Sequence, residues 1–200
     1  VISTKGQILH RYFLANMEEM TTVDRHLKSQ MNEYIRKYVK KIKEPLRMLD
    51  IGSYDINGSF KTLTRDNWTY TGIDINDGPN VDIVMPDPYT IPMSDESVDL
   101  VISGGTFVYV LDPFELMREV HRVLTPEGIV IVEFGTVFTP GILGIPPDCP
   151  VQSNDTFRYY PDGVKSIFQR AGLAIIWAEL IMDHKGKEHC WGVAEKWVRD

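Results

Sequence analysis

Met48-Leu49-Asp50-Ile51-Gly52-Ser53-Tyr54-Asp55-Ile56-Asn57-Gly58-Ser59, followed after a short segment by Tyr70-Thr71-Gly72-Ile73-Asp74, decides how this chain folds. An apolar run enters a glycine-bearing loop, and a second apolar run ends on an acid. This is the pattern of a strand-loop-helix-strand unit. The 24 residues from Asp50 to Asp74 fit one such step. A buried strand leading into a glycine loop brings ligand against backbone, and Asp74 at the tip of the next strand is placed to accept from two ribose hydroxyls. The unit therefore points to a nucleoside-containing cofactor.

The loop argues against a dinucleotide. A pyrophosphate needs bare backbone at three spaced glycines, whereas Tyr54 and Asn57 stand where the second and third would fall. Asp50 would also repel phosphates. Beside that loop an acid suits a cationic ligand, one carrying a sulfonium or an amino group.

The surrounding sequence predicts the layers. Residues from about Thr22 to Lys43 read as an amphipathic helix with Leu27, Met31, Ile35 and Tyr38 at helical spacing, closed off by Pro45. Strands are expected at Leu46–Ile51, Tyr70–Asp74, Val81–Val84, Val98–Ser103 and Ile129–Phe134. A helix is expected from Pro113 to Leu124 with Asp112 as N-cap, then a Pro126-Glu127-Gly128 turn. Pro161 to Ala171 reads as a helix ended by Gly172. Leu173–Met182 and Glu188–Trp197 read as a closing hairpin across Lys185-Gly186. The expected fold is an α/β, Rossmann-like, doubly wound, mostly parallel seven-stranded sheet with a C-terminal antiparallel hairpin. Residues 1–45 are expected to form an N-terminal helical extension and 46–200 the cofactor-binding domain. The stretch Thr136 to Thr156 contains Pro140, Pro146, Pro147 and Pro150 with no clear period, and a loop of that length is usually functional.

Composition bounds the function. With 43% hydrophobic residues in 200, the chain holds one α/β core and not two. A net charge of −7 disfavours broad binding to phosphate backbones. Arg36, Lys37, Lys40, Lys41 and Lys43 share the predicted helix with apolar residues and read as its solvated face. No membrane-span run or signal pattern occurs, and the absent initiator Met suggests a fragment. Cys149 and Cys190 lie far apart with no ligand motif, and His10, His26, His121, His184 and His189 show no metal spacing, so neither a disulfide framework nor a metal site is expected. The expected setting is cytoplasmic.

Over roughly Leu46 to Leu180 the chain resembles class I S-adenosylmethionine-dependent methyltransferases of the small type. The resemblance rests on Leu49-Asp50-Ile51-Gly52, on Gly72-Ile73-Asp74, on Asp87 through Ile91-Pro92-Met93 to Asp95-Glu96-Ser97-Val98-Asp99, and on Glu119-Val120-His121-Arg122-Val123-Leu124-Thr125-Pro126-Glu127-Gly128. It implies S-adenosyl-L-methionine as cofactor. Asp50 and Gly52, with Ser53 and Tyr54, would border the methionine moiety, and Asp74, with Ile75, would bind the ribose. Asp87, with Pro88, would meet adenine, and Ser103-Gly104-Gly105 would line the methyl-donor side. Three positions depart from the pattern: Tyr54 replaces a loop glycine, Pro88 lacks the N–H often used to read adenine, and Val108-Tyr109 replaces a frequent Glu-His pair.

Gly52 to Ser59, Gly78-Pro79-Asn80-Val81-Asp82-Ile83-Val84 and Phe157-Arg158-Tyr159-Tyr160-Pro161-Asp162-Gly163 look like methyltransferases of glycan and capsule synthesis. That narrower resemblance implies a carbohydrate acceptor and companion glycan-synthesis domains, as in the multidomain glycosyltransferases of large algal viruses (then in the host cytoplasm). A sugar hydroxyl needs a base. Asp155 is the candidate, with Arg158 and Tyr159 orienting the acceptor. A histidine of the closing hairpin, His184 or His189, is the alternative base, and His121 reads as structural. Phe107 and Tyr109 read as pocket walls. Two other functions fit the same motifs: methylation of a small metabolite or phenol, using Phe107, Tyr109, Phe157 and Tyr159 as an apolar slot, or a cofactor-binding domain without catalysis.

Overall fold

The computed structural model describes residues 25–42, 44–55, 58–136, 157–183, 186 and 188–197. Seven strands form one sheet in the order β3-β2-β1-β4-β5-β7-β6. They are β1 (Arg47–Ile51), β2 (Thr69–Asp74), β3 (Ile83–Val84), β4 (Val98–Gly104), β5 (Leu124–Gly135), β6 (Ala174–Met182) and β7 (Glu188–Glu195). The first five are parallel to their neighbours, and β7 runs antiparallel between β5 and β6. This is the expected Rossmann-like, mostly parallel seven-stranded α/β sheet closed by a C-terminal antiparallel hairpin. Parallel strands covered on both faces are apolar throughout, and β4 is buried from Val98 to Ile102 for that reason.

The helices are α1 over residues 25–38, α2 (Pro113–Val123) and α3 (Pro161–Ala171). Asp112 accepts the Glu115 N–H at 2.9 Å, and Pro113 occupies the first turn of α2. Gly172 ends α3 at φ 84°, a left-handed conformation that favours glycine. α2 and α3 cover one face, where Leu116, Met117, Val120, Val164, Ile167 and Phe168 pack on Leu49, Val101, Val130 and Val132. α1 covers the other: Met31, Tyr34 and Ile35 share a core with Leu100, Ile131 and Trp191. α1 is thus packed directly on the sheet. Arg36 and Lys37 on α1, and Lys40 in the 3-10 turn that follows it, face solvent.

Two local expectations are corrected. No α-helix links β1 to β2 among the described residues, only a 3-10 turn at Phe60–Leu63. The link is short and holds Thr62, Thr64, Asp66 and Asn67, which are weak helix formers, while Phe60, Leu63 and Trp68 pack onto the α1-side core. The Pro126-Glu127-Gly128 turn is a bulge inside a longer β5: pairing with β4 shifts between Val98 and Leu100, and Glu127 takes φ 65°. The stretch 137–156, with Asp155 and Cys149, lies outside the described residues, as do Ile56, Asn57, His10 and His184. Among the described residues no helix is long and apolar enough to cross a membrane.

Candidate functional site

The C-terminal ends of β1, β2, β4 and β5 and the start of β7 lie on one edge of the sheet. Open α/β sheets bind ligands at that edge. Gly52 takes φ 77° as the chain leaves β1, and Ile73 O accepts from both Gly52 N (2.9 Å) and Ser53 N (3.1 Å). A Cβ at Gly52 would lie 1.9 Å from Thr106 Oγ1, so this glycine lets the β1 and β4 loops meet. Ser53 Oγ donates to Asn80 O, and Asn80 Nδ2 donates to Ser53 O, each at 3.0 Å.

Tyr54 occupies an expected glycine position without blocking the loop, because its ring lies on Gly78. A Cβ there would fall 2.2 Å from Tyr54 Cε2. The glycine missing at 54 is matched by one across the cleft, and the ring becomes a wall beside Asp74, whose Oδ2 accepts Tyr54 N–H at 3.4 Å.

Asp50 carries the strongest signal. It is buried, its Oδ2 accepts the Tyr70 hydroxyl at 2.7 Å, and its Oδ1 is buried with no hydrogen-bond partner among the described residues. Tyr70 is itself held by Asn80 Nδ2 at 2.7 Å. Burial raises the Asp50 carboxyl from 3.8 to about 7, the nearby Asp74 adds to the rise, and the Tyr70 hydrogen bond opposes it. A buried acceptor without a donor costs free energy unless a ligand supplies one. A cationic amino group meets that need, so this donor-seeking oxygen fits the amino-acid end of S-adenosylmethionine.

At the tip of β2, Asp74 Oδ1 accepts Asn76 N at 2.9 Å, and the adjacent Ile75 is 53% exposed. An acid beside an exposed apolar side chain suits a ribose with a flat base. Asp87 is exposed, and its Oδ1 accepts from Tyr89 N (2.8 Å) and Thr90 N (2.9 Å), so it caps its own turn. Hydrogen bonds from Thr90 and Tyr89 hold its carboxyl below the usual range. Pro88, also exposed, starts that turn without an N–H to offer.

Near the end of β4, Ser103 is buried and its Oγ donates to Ile51 O at 2.8 Å, so its side chain ties β4 to β1 and is not open to a ligand. Gly104 packs against Phe60, whose Cε2 would lie 2.9 Å from a Cβ. Gly105 takes φ 71° with open space on its Cβ side, and its N–H donates to Glu133 Oε2 at 2.9 Å.

The expected acceptor-orienting residues sit differently. Tyr159 is a core residue: its hydroxyl donates to Phe107 O at 3.0 Å and its ring packs on Phe134 at 5.0 Å. Burial pushes its phenol far above the usual value, and the placement makes it a strut and not an acceptor contact. Phe107 is likewise core, 4.8 Å from Phe134. Arg158 Nη1 donates to Phe157 O at 2.8 Å. Asp155 lies outside the described residues. His121 packs at the end of α3, 3.6 Å from where a Gly172 Cβ would lie.

Sequence reading missed Tyr70, Asn80, Thr106 and Glu133. A signal existed for the last: it is the single acid in the apolar run Ile129–Phe134. Glu133 is buried, with Oε1 3.1 Å from His189 Nδ1, and His189 Nε2 lies 3.7 Å from Asp183 Oδ2. The His26 ring of α1 stands 5.7 Å from the His189 ring. Among the described residues, no group of three such side chains is arranged to hold a metal ion.

The family model described as methyltransferase domain matches residues 49–132. An uncharacterized methyltransferase of Schizosaccharomyces pombe is 44% identical over 50 residues, 25% of this chain and 20% of that protein. The uncharacterized protein YafS of Escherichia coli is 35% identical over 65 residues, 32% of this chain and 27% of that protein. The chain thus spans about a quarter of the length of these curated relatives. The crystal structure of an S-adenosylmethionine-dependent methyltransferase from Aquifex aeolicus superposes with a TM-score of 0.57 at 17% identity, covering 82% of this chain and 87% of that one. The matched segment runs from β1 through most of β5 and contains Asp50, Gly52, Asp74, Asp87 and the Ser103-Gly104-Gly105 turn.

Proposed function

We propose that this chain, a class I S-adenosylmethionine-dependent methyltransferase, transfers methyl to a hydroxyl of a sugar in a glycan. The observation that carries the cofactor half of the reading is the buried, donor-seeking Oδ1 of Asp50 beside the Gly52 loop. Asp50 and Tyr70 hold the cationic amino-acid end, Gly52 and Gly105 give it backbone to lie on, and Asp74 accepts from the ribose hydroxyls. Asp87 lies on the adenine side. Bound there, the cofactor supplies an electrophilic methyl group on sulfonium. The protein's own work is to fix that group, align an acceptor oxygen and keep water out.

The acceptor half rests on two supports. The segments 52–59, 78–84 and 157–163 resemble methyltransferases of glycan and capsule synthesis. The sheet edge beyond Gly105 also carries Glu133, His189 and Asp183, a buried ionisable cluster next to the Gly105 loop, of the kind that handles a hydroxyl proton. A radiolabelled-methyl assay against methyl glycosides, oligosaccharides, phenols and RNA tests the reading. Label transferred to carbohydrate is expected. Label confined to phenols or small metabolites would overturn the sugar reading while keeping the enzyme, and label on RNA would overturn it as well. The carbohydrate reading also implies work beside other glycan-synthesis domains.

A further inference from the structure

The residues left over once the cofactor is accounted for converge on one place. Glu133 ends the apolar run of β5, His189 opens β7 opposite Gly135, and Asp183 follows β6. Three strands thus deliver three ionisable side chains to the sheet edge that holds the cofactor loops. All three are buried. In an apolar strand layer such groups persist only where they satisfy one another or serve chemistry.

Their order is informative. Glu133 Oε2 is taken by the Gly105 N–H at 2.9 Å, so the carboxylate is an acceptor there. Its Oε1 lies 3.1 Å from His189 Nδ1, a contact satisfied when Nδ1 carries the proton and donates. That tautomer leaves the lone pair on Nε2, which is buried and has no hydrogen-bond partner among the described residues. An imidazole oriented through Nδ1 by a buried carboxylate, with Nε2 left without a hydrogen bond among the described residues, is the arrangement of a general base. Asp183 Oδ2, 3.7 Å from Nε2, is too far for a hydrogen bond but near enough to stabilise an imidazolium.

We propose that Glu133 and His189 form the proton-accepting dyad of methyl transfer, with His189 Nε2 taking the proton of the acceptor hydroxyl and Glu133 joining the dyad to the Gly105 donor loop. This inference rests on the methyltransferase reading above. As the acceptor oxygen bonds to the methyl carbon, the carbon–sulfur bond breaks and its electron pair stays on sulfur. The hydroxyl proton passes to Nε2 and is later lost to water, so atoms and charge balance without a metal or redox partner. Among the described residues, the titratable groups facing His189 are Glu133 on β5, Asp183 after β6 and His26 on α1. The neighbouring Cys190 thiol is pushed up to about 12 by burial and by Glu133, which keeps it neutral. Glu133 acts through His189 and Gly105 and is a positioning residue; His189 is the catalytic one.

The test uses the full chain labelled with 15N-histidine, with S-adenosylhomocysteine bound. His189 is assigned by its loss in His189→Asn. In the wild type, the neutral ring is expected with the proton on Nδ1, and Glu133→Gln is expected to abolish that preference and weaken S-adenosylhomocysteine binding about tenfold or more through the freed Gly105 amide. His189→Asn is expected to bind S-adenosylhomocysteine within about threefold of wild type, yet to lose methyl transfer to glycosides by roughly 10²–10⁴ together with the wild-type pH profile. A proton on Nε2 in the wild type overturns the dyad, and that result needs no known acceptor. Transfer by His189→Asn within about threefold of wild type overturns it too. A wild type that binds neither S-adenosylmethionine nor S-adenosylhomocysteine instead overturns the methyltransferase reading, which separates the two failures.

Discussion

Asp50→Asn is expected to make the cofactor-free protein more stable and the cofactor-binding protein worse. The Asp50 carboxyl is carried from 3.8 to about 7, chiefly by burial. The folded state therefore binds a proton that the unfolded state releases, so the group's contribution is fully present below about pH 4 and is lost as pH rises through about 7. At ~1.4 kcal/mol per pH unit, holding this carboxylate charged above pH 8 costs the fold about 4 kcal/mol. Asparagine removes that cost. It keeps an oxygen for the Tyr70 hydroxyl but leaves an amide N–H₂ where Oδ1 lacks a donor, which costs about 1–3 kcal/mol. A net gain of about 1–3 kcal/mol remains at pH 8, a melting temperature higher by about 2–12 °C for a chain of this length. At pH 4.5 the wild-type carboxyl is protonated, and the difference is expected to vanish or reverse. S-adenosylhomocysteine should bind at least about tenfold more weakly to the variant at pH 8, because the charge-assisted hydrogen bond to its amino group is gone. Scanning fluorimetry from pH 4.5 to 8.5, with and without S-adenosylhomocysteine, reads both effects. A variant that melts below wild type at pH 8, or binds S-adenosylhomocysteine as tightly, would refute the reasoning.

Other substitutions probe the frame around this site. Gly52→Ala meets both the φ of 77° and the Thr106 side chain, and is expected to lower stability by more than about 1 kcal/mol; adding Thr106→Ala should restore the part due to the clash and leave the backbone strain, as read by urea denaturation. Tyr159→Phe removes the hydroxyl bonded to Phe107 O and should cost about 1 kcal/mol of stability while leaving S-adenosylhomocysteine affinity unchanged; an affinity loss would return Tyr159 to the site. Arg122 pairs with Glu119 and Asp95 and also donates to Ile91 O and Met93 O, pinning the 91–95 loop to α2. Arg122→Lys cannot span those partners and is expected to cost about 1–3 kcal/mol in denaturant unfolding.

The parts of this molecule legible in the sequence are those written in local pattern. β1 and β4 announce themselves because parallel strands at the centre of the sheet are buried on both faces, and α2 and α3 carry proline at their starts and a cap or glycine stop. Asp50 and Asp74 are placed by spacing alone. What local pattern hides is pairing across distance. Tyr54 looks like an obstruction until Gly78 is seen under its ring. Asp50 looks like one ligand among several until Tyr70 and burial show why its second oxygen needs a donor. Tyr159 stands next to an expected functional stretch, yet its hydroxyl is bonded to a backbone 52 residues away. Glu133 and His189 meet through an antiparallel pairing that no sequence period records, since 56 residues separate them. The missing helix after β1 follows from a link too short and too rich in weak helix formers, a balance of propensity against core packing that spacing does not resolve.

The central claim is that the edge formed by Asp50, Gly52, Asp74 and Gly105 holds S-adenosylmethionine. Titration calorimetry of the chain with S-adenosylhomocysteine at pH 8 tests it most directly. One site per chain with a Kd below about 1 mM is expected, with affinity falling as pH drops below about 7 and Asp50 takes up its proton. Absence of saturable binding at pH 8, or binding indifferent to pH between 5 and 8, would contradict it.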